Sequence, residues 1–316
     1  MFENDINCLC FSGGGTKGIV FIGAIQALID KNIINLEKIT RLIGASAGSL
    51  VAFFFCIGYT PQEIKTFLIE FNFKVLEPEI DSDKLFYGYG IDDGLKFFYI
   101  LKMLCRAKIG REEITFKELY ELTKKELYVT VTSINNSEVK YLNYESAPDH
   151  DVLLAIRMSM SVPFYYMPVR YNDDLFIDGG ILDNYPIQKG EKNRTIGLVV
   201  ASETKMEIKD FGDFMFGTIR LVVNAYLLAK VKKYDYCSIS ILCDEKSFLD
   251  FNMTREAKKD MIQLGYDEVV KNYDNFINQK VKNMLNELVD KVVDKVVDKV
   301  VDKVVDKVVD KVVDKK

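Results

Sequence analysis

The sequence predicts an α/β fold with a mainly parallel central sheet, followed by a low-complexity C-terminal tail. Hydrophobic residues make up 48% of the 316 positions, which is enough to fill a large core. Near the start, apolar stretches at 7–11 and 41–44 each lead through a turn of small residues into an apolar helical pattern. This alternation of strand, turn and helix is typical of a parallel α/β unit.

The remaining elements follow from capping signals and periodicity. Thr60 before Pro61 predicts a helix start, because threonine is a good N-cap and proline suits the first helical position. Residues 126–134 alternate and are rich in β-branched side chains, which predicts a strand paired with 139–144. The patterns predict further helices at 94–106, 152–160, 210–232 and 254–288, and further strands at 175–178, 195–201 and 236–243.

The chain divides by composition into three parts. We expect a main unit over 1–200, a C-terminal part of the same domain over 201–287 (helix, strand, helix), and a tail over 288–316. The tail repeats Lys-Val-Val-Asp, and a period of four rotates the valine pair by about 40° per repeat on a helix. Like charges also recur at i,i+4. This pattern predicts a disordered tail or a frayed helix, with an oligomerising or tethering role as the alternative.

Charge and cysteine content exclude several classes of function. The net charge of −5 argues against nucleic-acid binding, and membrane contact would depend on apolar residues or a local basic patch. The acidic start lacks the features of a secretory signal, so we expect a cytoplasmic protein, peripheral where it meets membranes. The six cysteines show neither CxxC pairs nor metal-ligand spacing, which predicts buried, reduced thiols. We interpret the apolar stretch 43–59 as core, because glycine and serine interrupt it.

A G-x-S-x-G pentapeptide, Gly44-Ala45-Ser46-Ala47-Gly48, lies between a predicted strand and a predicted helix. A strand-to-helix elbow holds a serine in a strained turn and exposes its hydroxyl. The neighbouring residues must be small, because the backbones there come too close for side chains. This setting favours Ser46 as a nucleophile.

A second glycine-rich loop, Gly13-Gly14-Gly15-Thr16-Lys17-Gly18, joins the first strand to the first helix. Its backbone N–H groups and the helix N-terminus favour an oxyanion hole at Ser46. A phosphate cradle is the rival, but the spacing matches neither the dinucleotide fingerprint nor a P-loop. A cation at Lys17 opposes the helix dipole, so we expect it to pair with a carboxylate or to meet an anionic head group.

The third motif, Asp178-Gly179-Gly180, follows a predicted strand. By itself it reads as a turn, but beside the other two motifs its carboxylate is placed to act as a base. A histidine triad would have to use His150, the single histidine, which we expect to be a solvated surface residue before a helix. Asp178 would then need a buried site that raises its basicity.

In this order the three motifs resemble those of the patatin-like phospholipases. In that family a G-G-G-x-R/K-G loop forms the oxyanion hole, G-x-S-x-G supplies the nucleophile and D-G-G/A supplies the base. The segments 155–163 and 178–187 are also similar to the family's segments before and around the aspartate. The likeness covers about 7–200, with Lys17 where arginine is common.

The resemblance implies a three-layer α/β/α fold in which 1–200 is the catalytic core. It implies a Ser46–Asp178 dyad and an acyl-enzyme at Ser46, without metal or cofactor. The oxyanion hole would comprise the N–H groups of Gly14 and Gly15, with Gly13. The residues that support the motifs would be Lys17, Gly18, Gly44, Gly48, Gly179 and Gly180.

The implied activity is that of a lipid acyl hydrolase of the phospholipase A type. Its partner would be a lipid substrate at a membrane or lipid-droplet surface, with no nucleic acid. The alternatives are a transacylase that passes the acyl group to another lipid, and a non-catalytic membrane-associated protein on the same fold. The sequence leaves head group, acyl chain, position of cleavage and oligomeric state open.

Overall fold

A computed structural model describes residues 6–78, 82–201, 207–243 and 250–313. The expectations for the first five residues and for 314–316 lie outside this range. The strands are β1 Cys8–Phe11, β2 Arg41–Ala45, β3 Gly90–Asp92, β4 Glu126–Ser133, β5 Glu138–Leu142, β6 Phe164–Tyr166, β7 Val169–Tyr171, β8 Asp174–Asp178, β9 Thr195–Ala201 and β10 Ser238–Leu242.

Except for the last, which is longer, the predicted α-helices occur to within a few residues, and short ones lie between them. Thr60 caps its helix as expected, in a capping box with Glu63. The helices are α1 Val20–Asp30, α2 Ala47–Cys56, α3 Pro61–Glu70, α4 Ser82–Gly88, α5 Leu95–Ile109, α6 Phe116–Thr123, α7 Val152–Ser159, α8 Gly180–Asp183, α9 Phe211–Lys233 and α10 Arg255–Val313.

The central sheet is mixed and mainly parallel, which confirms the predicted fold class. Strands β10, β9, β1, β2 and β4 run parallel in that order, and β8, β7 and β5 join antiparallel. Strands β3 and β6 form a separate parallel pair. Because these parallel strands are joined by crossover helices, both faces of the sheet are covered.

Alternate residues of β1 show the three layers. Leu9 and Phe11 pack into the large cluster that α1, α2 and the first part of α10 form on one face. Cys8 and Cys10 point to the other face, as expected from their spacing, and pack with Leu227 of α9. The apolar stretch 43–59 is the end of β2 followed by the buried helix α2, so its interpretation as core is confirmed.

Two strands of opposite direction end at the same point on β4. Ala45, the last residue of β2, pairs with Thr130, and Asp178, the last residue of β8, pairs with Val131. Strand β5 pairs with the same stretch of β4 from its other side, so β2 and β8 share one side and meet end to end. This arrangement brings the residue after β2, Ser46, next to the last residue of β8.

Helices α1 and α10 cross with their backbones in contact. A Cβ atom on Gly265 of α10 would overlap the carbonyl of Val20, and one on Gly23 of α1 would overlap that of Ile262. Glycine at the crossing lets two apolar helices approach more closely than side chains would permit. The first part of α10 is thereby fixed to the first helix of the chain.

The expectation of a disordered or frayed tail differs from the structure. Helix α10 continues without interruption from Arg255 through the Lys-Val-Val-Asp repeat to Val313. Helix nucleation is costly but propagation is not, so a helix already fixed against α1 can extend through mediocre helix formers. The sequence argument recognised the preceding helix at 254–288 but gave more weight to the unfavourable pattern of the repeat.

We expect Gly265→Ala to lower the free energy of unfolding by about 2–3 kcal/mol, because the new methyl group forces α1 and α10 apart. Gly212→Ala in α9 is the matched control, since its Cβ would meet only the flexible Asp210 side chain, at 3.2 Å. Urea unfolding curves of both variants and the wild type measure the difference. Equal midpoints for Gly265→Ala and the wild type would contradict the crossing.

Candidate active site

Ser46 lies at the elbow between β2 and α2, as predicted. Its backbone has φ 52° and ψ −130°, a combination that costs energy for a residue with a side chain. The turn is tight: a Cβ on Gly48 would lie 2.5 Å from the carbonyl oxygens of Phe11 and Ser12. The small residues on either side of Ser46 are therefore needed for the elbow to close.

The side chains of Ser46 and Asp178 form a direct hydrogen bond. The Ser46 hydroxyl donates to Oδ2 of Asp178 over 2.6 Å, and the backbone N–H of Gly180 donates to Oδ1 over 2.7 Å. Both side chains are buried. The structure thus brings together the two residues that the sequence marked as nucleophile and base.

Burial raises the pKa of Asp178 to about 7, and the hydrogen bonds from Ser46 and Gly180 offset only part of this rise. A carboxylate with this pKa is a far better proton acceptor than an ordinary aspartate and is still about half ionised at neutral pH. The sequence argument required such a perturbation for a base that acts without histidine. The raised pKa results from the burial of Asp178 where the ends of β2 and β8 meet on β4.

Ser159, at the end of α7, fixes the elbow from behind. The backbone N–H of Ser46 donates to Oγ of Ser159 over 2.9 Å, and that hydroxyl donates to the carbonyl of Thr130 over 2.6 Å. The chain therefore ties the nucleophile to β4 through a third element. Sequence reasoning missed this role, because it singled out the segment 155–163 only as a whole.

The glycine loop lies beside Ser46, but its first residue is already engaged. The N–H of Gly13 donates to the carbonyl of Asn184 over 3.0 Å. A Cβ on Gly13 would lie 3.2 Å from the Cβ of Ser46, so this position must be glycine for the loop to approach. Gly13 thus contributes by its small size, and the candidate oxyanion donors narrow to Gly14 and Gly15. No sequence motif indicated that the carbonyl of Asn184 would accept this hydrogen bond.

Lys17 is buried in a 3-10 turn over Gly15–Ile19, so it is not a surface cation. His150 is also buried, and the expectation of a solvated residue is wrong. The loop before α7 packs inward, so that the imidazole ring lies 4.5 Å from the ring of Tyr171. Its Nδ1 is 2.8 Å from the carbonyl of Asp151. The hydroxyl of Ser46 is bonded to Asp178 and not to this histidine.

An apolar cavity of about 1050 Å³, measured with its open mouth, begins at Ser46 and Gly15. It extends between α2, α3 and α5. Leu50, Phe54, Phe67, Phe97, Leu101 and Leu104 are among its lining residues. Phe97 is the lining residue from the aromatic run at 97–99, whereas the exposed Phe86 and Tyr87 are not among the lining residues.

The cysteines are uninvolved in this site. All six are buried free thiols, as expected, and burial raises the pKa of Cys56 to about 12. Within the described ranges, no group of three or more His, Cys, Asp or Glu side chains is placed to hold a metal ion.

Comparison with known proteins identifies the family. A family model described as patatin-like phospholipase matches residues 9–189. The chain belongs to the patatin-like phospholipase family. The match includes the glycine loop, the elbow and the aspartate motif of this patatin-like chain.

Two relatives and one solved structure extend the comparison. A probable lipid hydrolase, 463L, of invertebrate iridescent virus 6 is 35% identical over 184 residues, which is 57% of this chain and 61% of that protein. The uncharacterized protein R571 of Acanthamoeba polyphaga mimivirus is 28% identical and spans 87% of this chain and 96% of its own. VipD from Legionella pneumophila has the same fold, with a TM-score of 0.60 at 19% identity, over 86% of this chain and 67% of its own.

We expect Asp178→Asn to stabilise the protein above pH 7 while it removes the base. Because the folded-state pKa lies above the unfolded value, stability from neutral Asp178 is complete below about pH 4 and is lost as pH rises through 7. The amide avoids this loss, so the variant's advantage should grow on the order of a few kcal/mol between pH 4 and pH 8. Thermal unfolding at several pH values measures it, and a gap that does not change with pH would contradict the burial of an ionisable Asp178.

Proposed function

We propose that this patatin-like chain is a serine lipid acyl hydrolase that cleaves carboxylic ester bonds of phospholipids or related lipids. The observation that carries the proposal is the 2.6 Å hydrogen bond between Ser46 and Asp178 at the head of an apolar cavity. Nucleophile, base and acyl-sized space thus occur at one place. The family and the name of its viral relative agree with a lipid substrate.

In the first half-reaction Asp178 takes the hydroxyl proton of Ser46 while Oγ attacks the ester carbonyl carbon. The carbonyl oxygen becomes an oxyanion that accepts hydrogen bonds from the N–H groups of Gly14 and Gly15. The ester bond then breaks, and the leaving alcohol takes the proton from Asp178. The acyl group remains on Ser46.

In the second half-reaction water replaces the alcohol. Asp178, again ionised, accepts a proton from the water as its oxygen attacks the acyl carbon. The tetrahedral intermediate collapses, Ser46 recovers its proton from Asp178, and the fatty acid leaves. One carboxylate therefore serves as base and acid in turn.

The cavity indicates which part of the substrate is recognised. Its lining of leucine, isoleucine and phenylalanine side chains suits a long acyl chain, which would gain about 0.8 kcal/mol per buried methylene group. The head group would remain outside the cavity, towards solvent or the lipid surface. The proposed substrate class is therefore a long-chain lipid ester presented at a membrane or lipid-droplet surface.

Fatty-acid release from phosphatidylcholine vesicles, without calcium, tests the proposal. We expect Ser46→Ala and Asp178→Ala to lower the rate by about a thousandfold or more, because each removes a member of the reacting pair. His150→Asn is the control, since this histidine contacts neither residue, and it should retain the rate of the wild type once its folding is verified.

Two outcomes would contradict the proposal: release that survives Ser46→Ala, and a folded wild type that hydrolyses no ester. A lysolipid added as acceptor separates the transacylase alternative. In that case the acyl group would appear on the lysolipid instead of as free fatty acid.

A further inference from the structure

Helix α9 presents a long apolar face to solvent. The exposed side chains are half to three-quarters accessible and recur at spacings of three and four, which places them on one side of the helix: Phe211, Phe214, Leu221, Val222, Tyr226 and Leu228. Within this fully described helix, Arg220 is the one charged residue between Phe214 and Ala229, and the spacing places it on the opposite side. A face of this length and composition marks a contact surface.

The opposite face of α9 packs on the protein, so the helix cannot cross a membrane without unfolding the sheet. By length and hydropathy alone, α9 could span a bilayer. Its most apolar stretch of 18 residues has a mean hydropathy of 1.4, and only 6% of that stretch is buried. However, Leu227 and Val231 pack against the sheet, and Lys230 forms an ion pair with Asp183. The helix also connects the parallel strands β9 and β10. It can lie on a lipid surface but not pass through one.

Helix α9 borders the catalytic cavity through its packed side. Phe216, in the second turn of α9, packs against a cluster that contains Val162, Tyr166 and Phe251. These three residues also line the cavity that begins at Ser46. The N-terminal half of α9 is therefore part of the rim of the site, and its exposed apolar face points away from the protein.

Exposed aromatic residues also lie next to this cluster. Ile91 of β3 packs in the cluster, and β3 pairs with β6 through Gly90 and Phe164. Tyr89 and Phe164 are both exposed, and Phe164 holds a backbone φ of 68°, in the left-handed region. Apolar groups from elements far apart in sequence thus reach solvent near the rim.

We propose that the exposed face of α9, together with Tyr89 and Phe164 near the rim, docks this protein on a lipid surface. The inference rests on the proposed function, because long acyl esters reside in bilayers and droplets and must pass from there into the cavity. The occupant is lipid and not a second copy, since the helix that carries the apolar surface also borders the cavity that a lipid must enter. Attachment is by apolar contact, in keeping with the net charge of −5.

Co-sedimentation with phosphatidylcholine vesicles tests the docking apart from catalysis. The full chain carries Ser46→Ala, so that the vesicles stay intact. We expect this parent to bind neutral vesicles and to stay bound in about 0.5 M NaCl, where charge attraction is screened. Adding Leu221→Asp and Leu228→Asp should weaken binding at least about tenfold, because two exposed leucines lose their contact with lipid.

Two control variants test whether the loss of apolar contact on α9 is what weakens vesicle binding. Leu221→Phe with Leu228→Phe keeps the face apolar and should bind at least as tightly as the parent. Leu122→Asp makes the same leucine-to-aspartate change at an exposed position of α6 and should bind like the parent. Light scattering on each variant reports the oligomeric state.

Equal vesicle binding by the parent and the double aspartate variant would overturn the proposal. So would a parent that ignores vesicles but forms a dimer that the aspartates dissociate, since the face would then join two copies. When Ser46 is restored, the Leu221→Asp and Leu228→Asp changes should reduce hydrolysis of vesicle lipid more than hydrolysis of a soluble short-chain ester. Vesicle binding without hydrolysis of any ester would support the docking and refute only the proposed function.

Discussion

The active site depends on the place where two strands of opposite direction end along β4. Because Ala45 and Asp178 pair with adjacent residues of β4, the residue after one strand faces the last residue of the other. The contact between Ser46 and Asp178 is set by strand pairing and does not depend on the conformation of a long loop. Ser159 then ties the elbow to the same strand through Thr130. The reacting pair thus inherits the rigidity of the central sheet.

The burial of Ser46 and Asp178 where β2 and β8 meet has two effects: it raises the pKa of the aspartate, and it costs folding free energy. Removing Asp178 from water raises its pKa towards neutrality, as the proposed role of a base without histidine requires. The same burial makes the ionised carboxylate unfavourable, and Ser46 holds a strained backbone conformation beside it. The large apolar core, formed on both faces of the sheet, offsets these costs. The site is therefore a locally unstable region within a strongly stabilised fold.

The sequence revealed those features that depend on local chemistry. The parallel strands and the elbow follow from short local patterns. The structure also brings Ser46 and Asp178, each in a short motif, into direct contact. The roles of Ser159 and Asn184 were not predictable in this way, because they act through backbone groups of residues distant in sequence. The exposed face of α9 was also missed. Apolar residues occur on both faces of that helix, and only the structure shows which face is left exposed to solvent.

The most direct test of the central claim is the rate at which a fluorophosphonate labels Ser46 at different pH values. Intact-protein and peptide mass spectrometry would follow the label between about pH 5 and pH 9. If Asp178 activates Ser46 directly, labelling should rise with pH with a midpoint near the aspartate pKa of about 7, and Asp178→Asn should abolish that rise. Labelling of Asp178→Asn at the wild-type rate and with the same pH dependence would contradict the dyad.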